Sequence, residues 1–176
     1  MSEIVVFNFK HPFISQHHFE DQVAEIFFAS STKKVFETQK EKDDFFWKYV
    51  GFYLAYYPEY AWLAVKEGRV LGYVFGMPFT QDPSLYLIQP HLKAFEEYFK
   101  TYPAHLHINC HESSRGQGVG KLLVEKLWQQ LVSEGSIGLH IMTGPESENR
   151  KFYQKLGFGF ELVNKGILFM GKGLSL

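Results

Sequence analysis

The chain has 176 residues, 45% hydrophobic and 18% aromatic, a composition that excludes a disordered or fibrous protein and gives one domain ample length for a packed core. Its 18 Lys and Arg against 19 Asp and Glu leave a formal net charge of −1, without the basic excess that nucleic-acid binding calls for. No run approaches the roughly 20 apolar residues that span a bilayer, the start MSEIVVFNFKHPF lacks a secretion signal, and the lone Cys110 cannot close an intrachain disulfide. A cytoplasmic protein that binds neither nucleic acid nor membrane is the expectation.

EIVVFNFK reads as a first strand, rich in β-branched and aromatic residues and stopped before Pro12. From His17 to Ser30 the residues Phe19, Val23, Ile26 and Phe27 recur at helical spacing. A second, aromatic-rich helix is predicted from about Lys42 to Tyr57, ending before Pro58. AWLAVKEGRVLGYVFG reads as a hairpin turning at Lys66-Glu67-Gly68-Arg69. A helix over 92–102 precedes Pro103, a strand follows from Ala104 to His111, and a glycine loop leads into a helix. That helix carries Val119, Leu123, Leu127 and Leu131 on one stripe and stops at Gly135. GLHIM is a short strand, SENRKFYQKLGF a helix closed by Gly157, and two strands, roughly 158–164 and 167–171, turn at Lys165-Gly166. The order β-α-α-β-β-α-β-α-β-α-β-β, with no repeat or linker, is that of a single mixed α/β domain over residues 1–176.

The loop SSRGQGVGKLL places Gly116, Gly118 and Gly120 between a strand and a helix. Glycines there let the backbone approach a ligand while the orphan N–H groups of the helix start point at it, which favours phosphate; a ligand-free tight turn is the alternative. It is not a P-loop, because Lys121 is followed by Leu122 and Arg115 stands at the first glycine position. It is not a dinucleotide fingerprint either, since G-x-G-x-G lies past mid-chain after antiparallel-looking strands.

RGQGVG resembles the Arg/Gln-x-x-Gly-x-Gly/Ala loop of the GCN5-related N-acetyltransferases (the GNAT superfamily), at Arg115, Gly118 and Gly120. FYQKLGF resembles the second motif of that superfamily, in the expected order and spacing. Residues 45–172 further resemble a bacterial branch similar to the acetyltransferase-like domain attached to protein O-GlcNAcases. The resemblance implies a central, mostly antiparallel sheet with a splayed parallel strand pair and helices on both faces. It implies acetyl-CoA as cosubstrate, an amine of a small molecule, amino sugar or protein as acceptor, and a homodimer as a frequent state. It also leaves room for a GNAT-like domain that binds coenzyme A without transferring acetyl.

Residue by residue, the resemblance implies that the backbone of Arg115, Gly116, Gln117, Gly118, Val119 and Gly120 holds the pyrophosphate. Ile108, Asn109 and Cys110 match the strand that pairs with pantetheine, where a backbone N–H would bind the thioester oxygen. Tyr153 matches the tyrosine that protonates the departing thiolate, although it also suits simple packing beside Phe152. The superfamily's asparagine seven residues before this tyrosine is replaced by Glu146, so Asn149 is the candidate for the pantetheine amide contact.

Alternation along the strand sets His105, His107, Asn109 and His111 on one face. Three readings stay open for them. His107 or His111 could be a general base titrating near the operating pH, with Glu112 a weaker candidate. His-x-His could bind a metal, but no further Cys/His pair has zinc-like spacing, so no metal is expected. Or the histidines could be hydrogen-bonded to backbone and shape a pocket. Cys110 reads as packing. In the aromatic helix most rings read as core, with Tyr53, Tyr56 or Tyr57 as pocket candidates. The overall charge argues against a strongly anionic acceptor.

Overall fold

Seven strands form one sheet in the order β1-β2-β3-β4-β5-β7-β6, in a computed structural model that describes residues 3–174. The strands are β1 (Val5–Asn8), β2 (Ala61–Lys66), β3 (Arg69–Met77), β4 (Ala104–Cys110), β5 (Gly138–Thr143), β6 (Phe160–Asn164) and β7 (Ile167–Gly173). Pairing is antiparallel for β1–β2, β2–β3, β5–β7 and β6–β7, and parallel for β4–β5 at Ala104↔Leu139 and His105↔His140. This is the mixed α/β fold that the hydrophobic pattern predicts, with seven strands in the predicted places along the chain and more helical segments between them than predicted.

The chain divides into two compact units, Met1–Gly76 with His107–Leu127, and Met77–Leu106 with Trp128–Leu176. In the first, α1 (Pro12–His17) starts with Pro12 at its first turn and the His11 ring accepting from Phe13 N. His18, at φ 49°, breaks the predicted continuous helix, so α2 runs Glu20–Ser30. The next helix is also in pieces: α3 (Gln39–Phe46), one π turn (Trp47–Gly51) closed by Phe52 N to Trp47 O, and α4 (Phe52–Tyr56). The wide turn sits where the Trp47 ring covers Gly51; a Cβ on Gly51 would lie 2.6 Å from Trp47 Cε3. The β2–β3 hairpin turns through Glu67 and Gly68, both at positive φ.

In the second unit, α5 (Pro83–Ile88) is capped by Asp82, and the predicted 92–102 helix is a run of 3₁₀ turns from Pro90 to Lys100. Leu92, Phe95 and Phe99 are buried on it. The core centres on Phe169, which stacks on His140 (4.6 Å between ring centroids) and Phe95 (5.6 Å) and packs against Tyr98 (5.7 Å). Burying each such ring contributes roughly 1.5–3 kcal/mol. Helix α6 (Val119–Ser133) ends on Gly135 at φ 82°, with Ser136 N reaching back to Leu131 O at 2.9 Å. Helix α7 (Arg150–Lys155) is shorter than its pattern predicts and is closed in the same way by Gly157 at φ 89°.

Gly138, on β5, has no room for a side chain: a Cβ there would sit 2.0 Å from Thr101 O and 2.8 Å from Tyr102 Cα. Backbone cannot swing aside as a flexible side chain can, so Gly138→Ala should lose at least about 2 kcal/mol in urea unfolding. Gly159→Ala, with open space around the new methyl, should stay within about 1 kcal/mol of the parent protein.

Candidate functional site

β3 and β4 approach closely at Gly72, where a Cβ would lie 2.9 Å from Cys110 Sγ and 3.0 Å from Asn109 O. His111 N donates to Leu71 O at 2.8 Å and marks the end of the strand. Burial pushes the Cys110 thiol up to about 11, so it stays protonated and serves packing.

Beyond the strand the chain turns tightly. The His111 ring caps a 3₁₀ turn, Glu112–Ser114, its Nδ1 accepting from Ser113 N at 3.2 Å. The proton of a neutral His111 is therefore on Nε2. Ser114 is buried and its hydroxyl donates to His111 O at 2.6 Å. Gly116 and Gly118 follow, both at φ 76°, a conformation that side chains strain to adopt. Gly118 O accepts from Leu122 N at 3.0 Å, so Gly118 is the residue at which α6 begins. The N–H groups of the first helical turn, Val119, Gly120 and Lys121, have no acceptor within the helix. That turn carries no acidic residue, and Arg115, Gly116, Gln117 and Gly118 are exposed while Val119 is buried as the anchor. The result is a donor-rich, positively polarised turn suited to a phosphate or diphosphate.

The histidines of β4 have different surroundings. His105 is buried in the second unit beside Thr80, whose hydroxyl donates to Pro103 O at 2.9 Å. With that proton committed, the 2.9 Å contact to His105 Nδ1 makes His105 the donor. His107 is in the first unit, among Tyr49 (5.8 Å, stacked), Phe27 (6.3 Å) and Tyr73 (6.4 Å). Desolvation by these rings lowers its pKa to about 4. For His107 this departs from the expectation of titration near the operating pH: the aromatic surroundings disfavour the cation. Asn109 Nδ2 donates to Tyr73 Oη at 2.7 Å, and burial pushes the Tyr73 phenol up.

The first unit thus gathers His107, Ile108, Asn109, Cys110, His111 and residues 115–120 on one continuous segment. Asn149 and Tyr153 belong to the second unit. Asn149 is exposed at the start of α7, and its carbonyl accepts from Tyr153 N at 3.1 Å. Tyr153 is buried, its ring edge-on to Phe158 at 5.7 Å. Glu146 is exposed. Of the pocket candidates in the aromatic helix, Tyr53 lies in the core and Tyr56 is 62% exposed. Tyr49 is the tyrosine of that helix stacked on His107. The extra residue per turn at 47–51 rotates the faces on either side of it, which a uniform helical period does not anticipate. Tyr73 was equally hidden, since a tyrosine in an apolar hairpin strand reads as core. Among the described residues, no three His, Cys, Asp or Glu side chains cluster to hold a metal, and no helix is long and apolar enough to cross a membrane.

Residues 20–158 match the sequence profile of the acetyltransferase (GNAT) family. No curated protein matches the chain in sequence. Solved structures share the fold: SsHAT superposes with a TM-score of 0.78 at 19% identity, covering 99% of this chain and 100% of its own. An N-acetyltransferase from Staphylococcus aureus Mu50 gives 0.66 at 16% identity, with coverage of 99% and 100%. A phosphinothricin acetyltransferase from Sinorhizobium meliloti, solved in complex with AcCoA, gives 0.62 at 15% identity, with coverage of 98% and 89%.

The environment of His107 has a measurable consequence. A histidine with a depressed folded-state pKa is protonated first in the unfolded chain, so stability is full above the unfolded pKa near 6.5 and falls as pH drops toward about 4. Between pH 7 and 5 the protein should lose on the order of 1 kcal/mol through His107. In His107→Gln that share of the pH dependence should vanish in urea titrations, while nuclear magnetic resonance should show a neutral His107 ring in the parent protein at pH 5.

Proposed function

The chain belongs to the acetyltransferase (GNAT) family, and we propose that it is an acetyl-CoA-dependent N-acetyltransferase acting on a primary amine of a small molecule, an amino sugar or a protein. The observation that carries this reading is the turn from Arg115 to Gly120. Its two left-handed glycines, exposed backbone and helix start free of carboxylates fit a diphosphate. Acetyl-CoA would supply the acetyl group as an activated thioester.

In this reading the N–H groups of the first turn of α6 hold the diphosphate, with Arg115 and Gln117 flanking it. The backbone of Ile108, Asn109 and Cys110 orients the thioester arm, and an N–H of that segment donates to the carbonyl oxygen. The Cys110 thiol, held protonated by burial, is no acyl carrier, which supports direct transfer to the amine. Tyr153 delivers the proton to the leaving sulfur. His107, with its low pKa, passes the amine's proton onward to water; His111 is the alternative, once its Nδ1 leaves Ser113. Asn149 takes the pantetheine amide contact in place of Glu146. The likeness of residues 45–172 to the domain attached to O-GlcNAcases sets an amino sugar among the acceptors to test. A lone cysteine supports a reducing, cytoplasmic setting, and a homodimer is the assembly to look for.

Acetyl-CoA should raise the melting temperature, and coenzyme A should be released when amines are added. The absence of any shift at millimolar acetyl-CoA would sink the proposal. Tyr153→Phe should lower kcat by about 100-fold with acetyl-CoA affinity retained; an unchanged kcat would remove Tyr153 from the chemistry. If the parent protein binds acetyl-CoA but releases no coenzyme A with any amine, the domain binds without transferring. Gly118→Ala, which strains a left-handed residue by roughly 1–2 kcal/mol, should weaken acetyl-CoA binding about tenfold.

A further inference from the structure

The first unit holds an open cavity of about 340 Å³ where the chain passes from α2 to α3. That volume lies in the range of small-molecule sites. Phe28 and Phe36, edge to face at 5.8 Å, form its apolar wall, and Lys33, Lys34 and Lys42 supply three ammonium groups against one carboxylate of the lining, Glu37. The lysines are not equivalent. Lys33 is paired with Glu41, which also accepts from Glu37 N at 2.7 Å. Lys34 donates to Phe28 O at 3.0 Å and Ala29 O at 2.7 Å, at the end of α2. Lys42 stands 4.8 Å over the Phe28 ring. Among the described residues neither Lys34 nor Lys42 has a carboxylate partner. Two positive charges, neither of them paired with a carboxylate among the described residues, are thus held in place against an apolar wall, with Glu37 the one carboxylate of the lining.

From this wall a file of half-buried rings leads to β4. Phe36 lies 5.4 Å from Phe45, Phe45 is 5.1 Å from Tyr49, and Tyr49 is 5.8 Å from His107. His107 directly precedes the residues assigned above to the thioester arm. We infer that the acceptor is an elongated amine with an acidic group, carboxylate or phosphate, at its far end: the amino group reacts near His107, the body lies along the rings, and Lys34 and Lys42 hold the acid. This inference rests on the acetyl-transfer reading and names the acceptor class for the same site. The chain's net charge of −1 does not oppose it, because at physiological ionic strength charges beyond about 8 Å are largely screened and the local pair decides.

The test uses three matched series from butyl to decyl: ω-amino carboxylates, ω-aminoalkyl phosphates and plain alkylamines. In the parent protein, kcat/KM should climb with length in an acid-bearing series and exceed the alkylamine of equal length by about tenfold. The better acid series identifies the group. The Lys34→Gln/Lys42→Gln double variant should erase that ratio, and Lys34→Arg/Lys42→Arg should restore it. Equal kcat/KM for acidic and neutral amines at every length, or a preference that survives in the Gln variant, would overturn the inference. Calorimetric titration of the longest acidic amine, without acetyl-CoA, separates it from the transfer reading. Binding that disappears in the Gln variant, with no turnover, upholds the lysine site and sinks the transfer. No binding and no acid preference, with acetyl-CoA still bound, sinks the lysine site alone.

Discussion

The loop geometry depends on a missing side chain. At Gly72 the backbone of β4 comes so near β3 that a Cβ would meet Cys110 Sγ at 2.9 Å, and any larger residue would force the strands apart. With the strands this close, His111 N reaches Leu71 O and the strand ends there. That ending leaves the His111 ring free to cap the next turn, and the turn delivers the chain to the two left-handed glycines. Val119, Leu123 and Leu127, all buried, then fix α6 behind them. The outward-facing donors of the loop are thus positioned by an inward contact between two strands. The same contact half-buries Cys110, and the desolvation pushes its thiol up to about 11, so close packing and a protonated thiol have one cause.

Two histidines of β4 and a third just past its end at Cys110, one residue short of the predicted strand, have three different chemical states. His105 gives its Nδ1 proton to Thr80, because the Thr80 hydroxyl is already committed to Pro103 O. His107 is surrounded by rings that offer little solvation to a cation, and stays neutral. His111 uses Nδ1 as an acceptor and keeps its proton on Nε2. Strand alternation fixes which way a side chain points, and says nothing of what waits there. A proton acceptor with a pKa near 4 differs in kind from one near 7: it relays a proton to water and does not store it.

How much of this was legible follows from the range of each interaction. The hairpin turns at Glu67-Gly68 and Lys165-Gly166 were readable because positive φ at both residues is a local demand that glycine advertises. The loop was readable for the same reason at Gly116 and Gly118. The succession of strands along the chain followed from alternation and turn signals; their order in the sheet did not. The break at His18 was not readable, since nothing in Phe19, Val23, Ile26 and Phe27 marks where their helix begins. Nor was the π turn, at which the Trp47 ring lies over Gly51. A uniform helical period gives Tyr49 no mark that sets it apart from Tyr53, Tyr56 and Tyr57. The partners of the histidines were hidden for a further reason: Thr80, Tyr73 and Phe27 are far from them in sequence, and single-chain periodicity carries no information on such pairs.

Charge shows the same gap between composition and arrangement. Between Lys33 and Lys48 lysines alternate with carboxylates, and their sum is close to neutral. Helical spacing sorts them unevenly. Lys40 and Asp44, four residues apart, form a pair at 2.5 Å, and Asp43 accepts from Gln39 at 2.7 Å. Glu41 turns back toward Lys33 and Glu37 N, because Thr38 caps α3 and sets Glu41 in its first turn. Once those acids are engaged, Lys34 and Lys42 are left facing Phe28 and the ends of α2 carbonyls. A segment that is neutral by count is therefore cationic at one surface, and the residue that brings this about is a threonine with no charge of its own.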